Sequence, residues 1–256
     1  MRTSLHFLDP HPVGSPVVLL LHGLGANGSM WTLQFEDLMA AGFRPIAPDV
    51  PGFGNSPYDG RGWSIRRVAA DFVALLRELQ TGPVHVVGLS MGGVIAQQLV
   101  LDFPEMVRKL VLVSTFSVLR PANFSQWLYF LQRLLVVHWV GLEGQSKLVA
   151  QRVFPAPEQE SLRAMAAEQI ARADPRAYRA AMRQLALFDS RKRLREIRVP
   201  TLVVSGGRDT TVSPERQRYL AQGIPGARQV LIPDGGHALA IDQAQTFNQV
   251  LLEFLQ

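Results

Sequence analysis

The sequence VHVVGLSMGGVIAQQLV, residues 84–100, places a serine between glycines at the junction of two different hydrophobic patterns. The continuous apolar run before the serine is typical of a parallel strand that is covered on both faces. The segment after it has apolar positions three and four residues apart, which indicates a helix. A strand, a tight turn and a helix in this order predict that Ser90 projects from the end of the strand, at the N-terminus of the helix.

The rest of the chain repeats this alternation of short apolar runs and helical patterns. Residues 64–80 and 91–104 have helical spacing, and the second segment stops at Pro104. Alternating strands and helices predict an α/β fold, with a mostly parallel open sheet and helices on both faces. The predicted strands are 17–21, 44–48, 84–88, 109–114, 201–206 and 227–233.

The alternation is interrupted between Ser114 and Thr201, where the sequence has helical stretches and no convincing strand. Ligands of open α/β sheets bind at the edge where the parallel strands end. We therefore predict that residues 116–190 form a helical cap, or lid, over that edge. The core around the sheet would then consist of residues 1–115 and 191–256.

Composition excludes several kinds of site. The chain has no cysteine, so it cannot form disulfides, thiolate metal sites or a cysteine nucleophile. The net charge is +5, and the excess lies in residues 120–200, where there are 14 Lys and Arg against 7 Asp and Glu. Because these charges are not clustered, we interpret them as a solvated helix surface and expect no nucleic-acid binding.

The longest apolar stretch, residues 127–142, has 16 residues and contains Gln132, Arg133 and His138. A membrane span needs about 20 predominantly apolar residues, so we predict an amphipathic helix without stable membrane insertion. The first residues have charge and proline where a secretory signal has its apolar core, and we expect a cytoplasmic protein. The sequence leaves the oligomeric state open.

Ser90 is the candidate nucleophile. A strand-to-helix turn of this kind strains the backbone, and Gly88 and Gly92 stand where a Cβ would collide. The N-terminus of the following helix offers unpaired N–H groups and a partial positive field. The Met91 N–H is therefore a candidate donor to an oxyanion, and the serine needs a base that is in turn oriented by an acid.

His237 and Asp209 are the candidate base and acid. His237 lies in the glycine-bracketed loop PDGGHALAIDQ after the last predicted strand, whereas His85 is inside a strand and is expected to be structural. Asp209 directly follows the strand 201–206, so it should reach the same edge of the sheet. The order Ser, Asp, His is one that catalytic triads take on such a sheet. Asp234 is closer to His237 along the chain, but we assign it to the turn of that loop.

The segment LLLHGLGANGSMW, residues 19–31, supplies the second candidate oxyanion donor. The Leu24 N–H follows His22 and Gly23 at the end of an apolar strand, and glycines let the backbone approach a substrate closely. We expect His22 to brace this loop by hydrogen bonds. Phosphate binding by GLGANG is disfavoured, because the segment lacks the Gly-x-Gly-x-x-Gly spacing and the later acidic partner.

Five segments together resemble the α/β-hydrolase superfamily over nearly the whole chain. They are HGLG at 22–25, DVPGFGNS at 49–56, GLSMGG at 88–93, GGRDTTVSP at 206–214 and GGHALAIDQ at 235–243. The resemblance implies a pocket-side loop at 49–56 and a helical cap at about 116–190. It implies Ser90 as nucleophile, Asp209 as acid, His237 as base, and Leu24 and Met91 as oxyanion amides, with no metal or organic cofactor. The opening antiparallel strands of that superfamily should be shortened here, since only LHFL precedes the first apolar run clearly.

The predicted reaction is hydrolysis of a carboxylic ester through an acyl-enzyme. The lid sequence is rich in aromatic and aliphatic residues, which favours a small-molecule substrate with an apolar acyl or aromatic group. Gly23, Trp127, Phe130 and Trp139 are the candidate substrate-binding residues. These aromatic side chains could equally serve to pack the lid onto the core.

Other functions remain open from the sequence. Lactonases of aromatic breakdown and carbon–carbon bond hydrolases resemble this chain in triad and cap, and some members of the superfamily are ligand receptors with little turnover. Epoxide hydrolases and haloalkane dehalogenases are disfavoured, because they use an aspartate where Ser90 stands. An intact triad favours an enzyme over a receptor.

Overall fold

A seven-stranded sheet runs through the residues that this computed structural model describes, which are 4–119 and 124–256. The strand order is β1-β3-β2-β4-β5-β6-β7, with β1 antiparallel to β3 and the other neighbours parallel. This arrangement confirms the predicted mostly parallel α/β sheet. The strands are β1 (Phe7–Leu8), β2 (Val17–Leu21), β3 (Arg44–Pro48), β4 (Val84–Leu89), β5 (Val107–Val113), β6 (Thr201–Gly206) and β7 (Arg228–Ile232).

Helices cover both faces of the sheet. One apolar cluster contains buried side chains of α2, α3 and α8, and the other contains those of α1, α9 and α10. The helices are α1 (Thr32–Ala40), α2 (Ile65–Glu78), α3 (Met91–Asp102), α4 (Phe124–Trp139), α5 (Gly141–Val153), α6 (Glu160–Ala171), α7 (Pro175–Leu187), α8 (Pro214–Gly223), α9 (Leu239–Asp242) and α10 (Ala244–Leu255).

The central strands are buried on both sides, which explains their continuous apolar sequences. Successive side chains of a strand point to opposite faces. In β4, Val86 accordingly packs with the α2–α3 side, whereas Val87 and Leu89 pack with the α1–α10 side. Each face needs its own apolar set, so the period of two cannot be seen in the sequence.

The stretch between β5 and β6 contains α4 to α7 in its described part, and buried side chains of these helices join the α2–α3 cluster. Where the chain leaves and re-enters the core, Val118 forms an isolated bridge with Asp189. The Ser190 N–H also donates to Ser117 O at 2.9 Å. These contacts agree with the predicted cap, whose bounds of 116–190 stay a prediction.

The bounds of three predicted strands, β4, β5 and β7, differ from the sequence predictions by one or two residues. β5 begins at Val107, two residues before its predicted start, because Val107 still pairs with Val84 beyond a register shift. The opening strand β1 has only two residues and pairs with β3, which agrees with the shortened opening that was expected. Within the described residues, no helix combines the length and apolar character that crossing a membrane requires.

The turn between β4 and α3 is pressed against the end of β2. A Cβ on Gly92 would overlap the carbonyl oxygen of Leu21 and lie 2.9 Å from the carbonyl oxygen of His22. A Cβ on Gly88 would overlap the carbonyl of Gly92 itself. The predicted need for glycine at both positions is therefore confirmed: the obstacle at Gly92 is the backbone at the end of β2, and the obstacle at Gly88 is the backbone of the first turn of α3.

Replacing Gly92 with alanine should lower the free energy of unfolding by about 3 kcal/mol, because backbone atoms must move to admit the methyl group. Urea denaturation at neutral pH measures this loss. Gly226→Asn is the matched control, since Gly226 has φ +71° and no atom within 4 Å of an added Cβ, and asparagine tolerates that conformation. A Gly92→Ala protein as stable as the control would contradict the packing described above.

His85 is a buried histidine in β4. Its ring lies edge-on to Phe43, with the ring centroids 5.8 Å apart. Burial, followed by the charges of Lys109 and Arg108, lowers the pKa of His85 from 6.5 to about 4. The folded chain therefore keeps this imidazole neutral at pH values at which the unfolded chain protonates it.

The free energy of unfolding should consequently fall as the pH drops from 6.5 towards 4. In this range His85 binds a proton in the unfolded chain but stays neutral in the folded chain. His85→Gln should make this fall shallower in urea titrations at pH 7, 6 and 5. Part of it should persist, since burial also lowers the pKa of His22. If the free energy of unfolding of His85→Gln depended on pH as strongly as that of the parent protein, protonation of His85 would not contribute to the loss of stability in acid.

Candidate active site

Ser90 occupies a strained position at the junction of β4 and α3. Its backbone has φ +54° and ψ −111°, a combination that non-glycine residues rarely adopt. The Ser90 N–H donates to Val113 O at 2.9 Å, and Thr115 Oγ1 donates to Ser90 O at 2.8 Å. The end of β5 therefore holds the strained residue in place, and such strain is typical of functional positions.

His237 is held by Asp209. The distance from His237 Nδ1 to Asp209 Oδ2 is 2.9 Å, and both side chains are buried. The other oxygen of Asp209, Oδ1, accepts from the N–H groups of Thr211 at 2.8 Å and Val212 at 2.9 Å. Gln217 Nε2 lies 3.3 Å from Asp209 Oδ2. These donors stabilise the ionised carboxylate, which in turn orients the imidazole ring.

The loops after β6 and β7 touch through glycine backbone. A Cβ on Gly206 would overlap the carbonyl oxygen of Gly236. The Gly207 N–H donates to Ile232 O and the Arg208 N–H to Gly235 O, both at 2.9 Å. This contact brings Asp209 and His237 together, although 28 residues separate them.

A cavity of about 160 Å³ opens beside the nucleophile turn. Ser90 and His237 both line it, and Asp209 lies behind the imidazole. The structure thus brings the three predicted residues to one edge of the sheet. Among the hydrogen bonds of the described residues, none joins Ser90 Oγ to His237. Such bonds are often long without substrate and tighten in the reacting complex.

Of the two candidate oxyanion donors, Leu24 borders the same cavity and Met91 directly follows Ser90 in the chain. Gly23 and Leu24 line it directly, and a Cβ on Gly23 would lie only 3.7 Å from Ser90 Cβ. Met91 is the first residue of α3, so its N–H has no acceptor within the helix. The backbone at Gly23 thus lies beside Ser90, and the Met91 amide stays a candidate donor from its place directly after the serine.

His22 braces the loop that carries Leu24, as predicted. Its Nδ1 is 2.8 Å from Gly23 O, and its Nε2 accepts from the Val50 N–H at 2.9 Å. A neutral ring protonated on Nδ1 satisfies both contacts. Burial lowers the pKa of His22 and outweighs the opposing effects of the Gly23 carbonyl and the Asp49 charge. His22 is therefore a neutral structural link between two loops.

Asp49 is a supporting residue that the sequence analysis missed. Its buried carboxylate accepts from the Gly28 N–H at 2.7 Å and from the Asn55 N–H at 2.8 Å. His6 Nδ1 lies 2.8 Å from the same carboxylate. Asp49 therefore connects the loop after β2 with the loop after β3. The signal in the sequence that could have identified this supporting residue is the acidic residue at the start of DVPGFGNS.

The structure places two of the aromatic residues proposed for the pocket outside the cavity wall. Trp127 and Trp139 are 50% and 84% exposed and do not line the cavity. α4 turns Arg133 towards the cavity and buries Val137, so the exposed tryptophans lie on other faces of the helix. The side chain of Phe130 lies outside the described residues. The described cap side chains in the cavity wall include Phe154, Ile170 and Leu185.

Three arginines line the cavity that were not predicted there. They are Arg133, Arg152 and Arg216. The first two belong to the basic segment 120–200, so the interpretation of that segment as solvated surface was wrong for them. The pattern of charge along the sequence could not show which basic residues face inward. Within the described residues, no group of three or more histidine, aspartate and glutamate side chains is arranged to hold a metal ion.

Asp242 places a second carboxylate near the histidine. Its Oδ2 accepts from the Gly236 N–H at 3.0 Å, directly before His237. Burial raises the pKa of Asp242, as does the charge of Asp209, against the opposing effects of the Gly236 N–H and His237. Asp242 therefore helps to fix the backbone of the histidine loop.

Replacing Asp49 with alanine should lower the free energy of unfolding by about 3 kcal/mol, because two buried backbone N–H groups lose their acceptor. Asp234→Ala is the matched control. Asp234 pairs with Arg208 at an exposed position, where an ion pair contributes at most about 1 kcal/mol. Urea denaturation of both variants tests this expectation, and equal losses would contradict the role assigned to Asp49.

Comparison with known proteins agrees with this geometry. Residues 16–244 match the family model for the alpha/beta hydrolase fold. A protein of Variovorax paradoxus, provisionally named carbamate hydrolase RutD, is 34% identical over 98% of this chain and 96% of its own length.

Two solved structures are similar over nearly the whole chain. The enol-lactonase from Burkholderia xenovorans has a TM-score of 0.89 and 26% identity, covering 98% of this chain and 96% of its own. A thermophilic esterase from Thermogutta terrifontis has a TM-score of 0.84 and 28% identity, covering 98% and 92%. With a family match over most of its length, a sheet of the expected order and Ser90 at the strained turn, this chain belongs to the α/β-hydrolase family.

Proposed function

We propose that this protein is a serine hydrolase that cleaves carboxylic esters through an acyl-enzyme. The observation that carries this proposal is the shared cavity of Ser90 and His237, with the imidazole hydrogen-bonded to buried Asp209 at 2.9 Å. A hydroxyl needs a base to become a nucleophile at neutral pH, and the base needs an acid to hold its tautomer.

In the proposed mechanism, Ser90 Oγ attacks the ester carbonyl while His237 Nε2 takes the hydroxyl proton. Asp209 stabilises the imidazolium that forms. The Leu24 and Met91 N–H groups donate to the oxyanion, and each such donor contributes about 3 kcal/mol to the transition state. His237 then protonates the departing alcohol. Water deacylates Ser90 by the same steps, which releases the acid and restores the enzyme.

An acyl substrate suits the described cavity. Its wall is mainly apolar and includes Leu24 as well as Ser90, and a backbone amide beside the serine is the kind of donor that an oxyanion needs. The similar proteins named above include an esterase and an enol-lactonase. A lactone is a cyclic ester that opens by the same steps, so lactone hydrolysis is the second candidate function. The similarity to the enol-lactonase over 98% of the chain is the observation that favours it.

Ser90→Ala should reduce turnover of short 4-nitrophenyl esters by about 10³-fold or more, because the nucleophile is lost. The parent protein should react with a fluorophosphonate, and mass spectrometry should place the label on Ser90. Ser29→Ala is the control, since Ser29 is exposed and lies outside the described cavity wall. It should keep both turnover and labelling.

The choice among substrates requires a steady-state panel of esters of graded chain length and of lactones. Multiple turnovers with these substrates would support an enzyme. A single turnover across the panel would instead favour the ligand-receptor alternative. Full ester turnover in a clean preparation of Ser90→Ala would refute the assignment of the nucleophile.

A further inference from the structure

The cavity beside Ser90 combines an apolar wall with three positive charges. Arg133 comes from α4, Arg152 from the last turn of α5 and Arg216 from the first turn of α8. The described part of the wall contains no aspartate or glutamate. Three separate helices, two of them in the predicted cap, therefore each contribute an arginine to the wall of one small cavity.

Arg133 and Arg152 donate hydrogen bonds to oxygen atoms of the protein. Arg133 Nη2 donates to Tyr178 Oη at 3.1 Å. With the Gln145 amide oriented so that its oxygen faces the guanidinium, that oxygen accepts from Arg133 Nε at 2.7 Å. Arg152 Nη2 donates to the carbonyl oxygen of Thr210. Arg133 and Arg152 are thus oriented before any ligand binds.

Arg152 and Arg216 are connected to the segments around Asp209, the residue that holds His237. Thr210, the acceptor for Arg152, directly follows Asp209 in the chain. Arg216 Nη1 donates to Val118 O at 3.3 Å, and the neighbouring Gln217 contacts Asp209. Both arginines therefore belong to the His237–Asp209 side of the cavity, whereas Arg133 is held from the cap.

Such an arrangement attracts anions. A guanidinium stays protonated in proteins and offers a planar fork of N–H donors that matches a carboxylate. Within an apolar wall the attraction between opposite charges is stronger than in bulk water, and a cleft lined by one sign of charge concentrates ligands of the other sign. A small cavity leaves little room for a bulky anionic group.

We propose that the substrate of this protein carries a carboxylate in addition to the acyl group, and that Arg133, Arg152 and Arg216 bind this carboxylate. The inference rests on the proposed hydrolase function for the reacting end of the substrate. It adds that a small acid ester or acid lactone is preferred over a neutral one of the same length. The apolar wall receives the carbon chain between the two ends.

Two matched pairs of esters test this proposal. Monomethyl glutarate and methyl pentanoate share an acyl length and differ by a carboxylate on the acyl side. Carboxymethyl butanoate and ethyl butanoate differ by a carboxylate on the alcohol side. In at least one pair, kcat/KM should be about tenfold or more higher for the anion, as expected for charge-assisted hydrogen bonds. Similar values within both pairs would overturn the proposal.

Arginine variants identify the groups responsible. Arg133→Gln, Arg152→Gln and Arg216→Gln should each lower kcat/KM for the preferred anionic ester at least fivefold, while the neutral ester changes less than twofold. The matching lysine variants should recover part of the loss, because they restore the charge without the fork. Arg183→Gln is the control, since Arg183 is exposed and absent from the described wall. Equal losses on both esters would indicate a structural role and overturn the proposal.

The dependence of KM on salt concentration tests the proposal without any amino-acid substitution. Raising NaCl from 0.05 to 0.5 M should increase KM for the anionic ester and leave the neutral ester unchanged, because ions screen the attraction. An identical response of both esters would overturn the proposal. This measurement keeps the test decisive even if an arginine variant fails to fold.

Binding separates this proposal from the proposed catalysis. Ser90→Ala cannot form an acyl-enzyme through Ser90, so calorimetry can compare its binding of monomethyl glutarate and methyl pentanoate. Tighter binding of the anion that is lost in Ser90→Ala/Arg152→Gln supports the carboxylate site, even if the parent protein hydrolyses no ester and Ser90 is not labelled. Hydrolysis of neutral and anionic esters at equal rates, with equal binding, would retain the hydrolase and reject the carboxylate site.

Discussion

The candidate active site depends on the close approach of the turn after β4 to the end of β2. Gly92 leaves no space for a side chain beside the Leu21 carbonyl, and the Ser90 N–H is tied to β5 through Val113 O. These contacts hold Ser90 at φ +54°, directly before the first turn of α3. The same contact brings the loop with Leu24 alongside the nucleophile. Strained backbone at one residue is thereby offset by hydrogen bonds and packing from two neighbouring strands.

Around this turn, two buried carboxylates lie where backbone N–H groups can stabilise their negative charge. Asp209 accepts from the Thr211 and Val212 N–H groups, and Asp49 accepts from the Gly28 and Asn55 N–H groups. One carboxylate orients His237, whereas the other links two loops near the oxyanion amides. Removing an acceptor of this kind leaves buried donors without a partner, which costs more than the hydrogen bond itself contributes. The loops are therefore rigid for an electrostatic reason as well as a steric one.

The predicted cap and the predicted core both contribute to the wall of the cavity. The core supplies Ser90, His237, Gly23 and Leu24, which lie at the edge of the sheet. The cap supplies apolar side chains with Arg133 and Arg152, while Arg216 reaches the cavity from α8 of the core. The proposed reacting groups lie at the edge of the sheet, and most of the side chains proposed to select a substrate belong to the helices between β5 and β6. Reaction type and substrate preference can therefore vary independently in this fold.

The sequence by itself determined the α/β alternation, most strand positions and the places of Ser90, Asp209 and His237 at strand ends. These features are local, because apolar runs, glycine turns and the position of a residue just after a strand can be read within about ten residues. Only the tertiary structure decided that Trp127 and Trp139 face outward while Arg133 faces the cavity. The same holds for the bond between Asp209 and His237, for Asp49 as a link between loops and for the pairing of β1 with β3. The physical reason is that an amphipathic helix shows its apolar face in sequence, whereas its partners and its rotation follow from packing against distant segments.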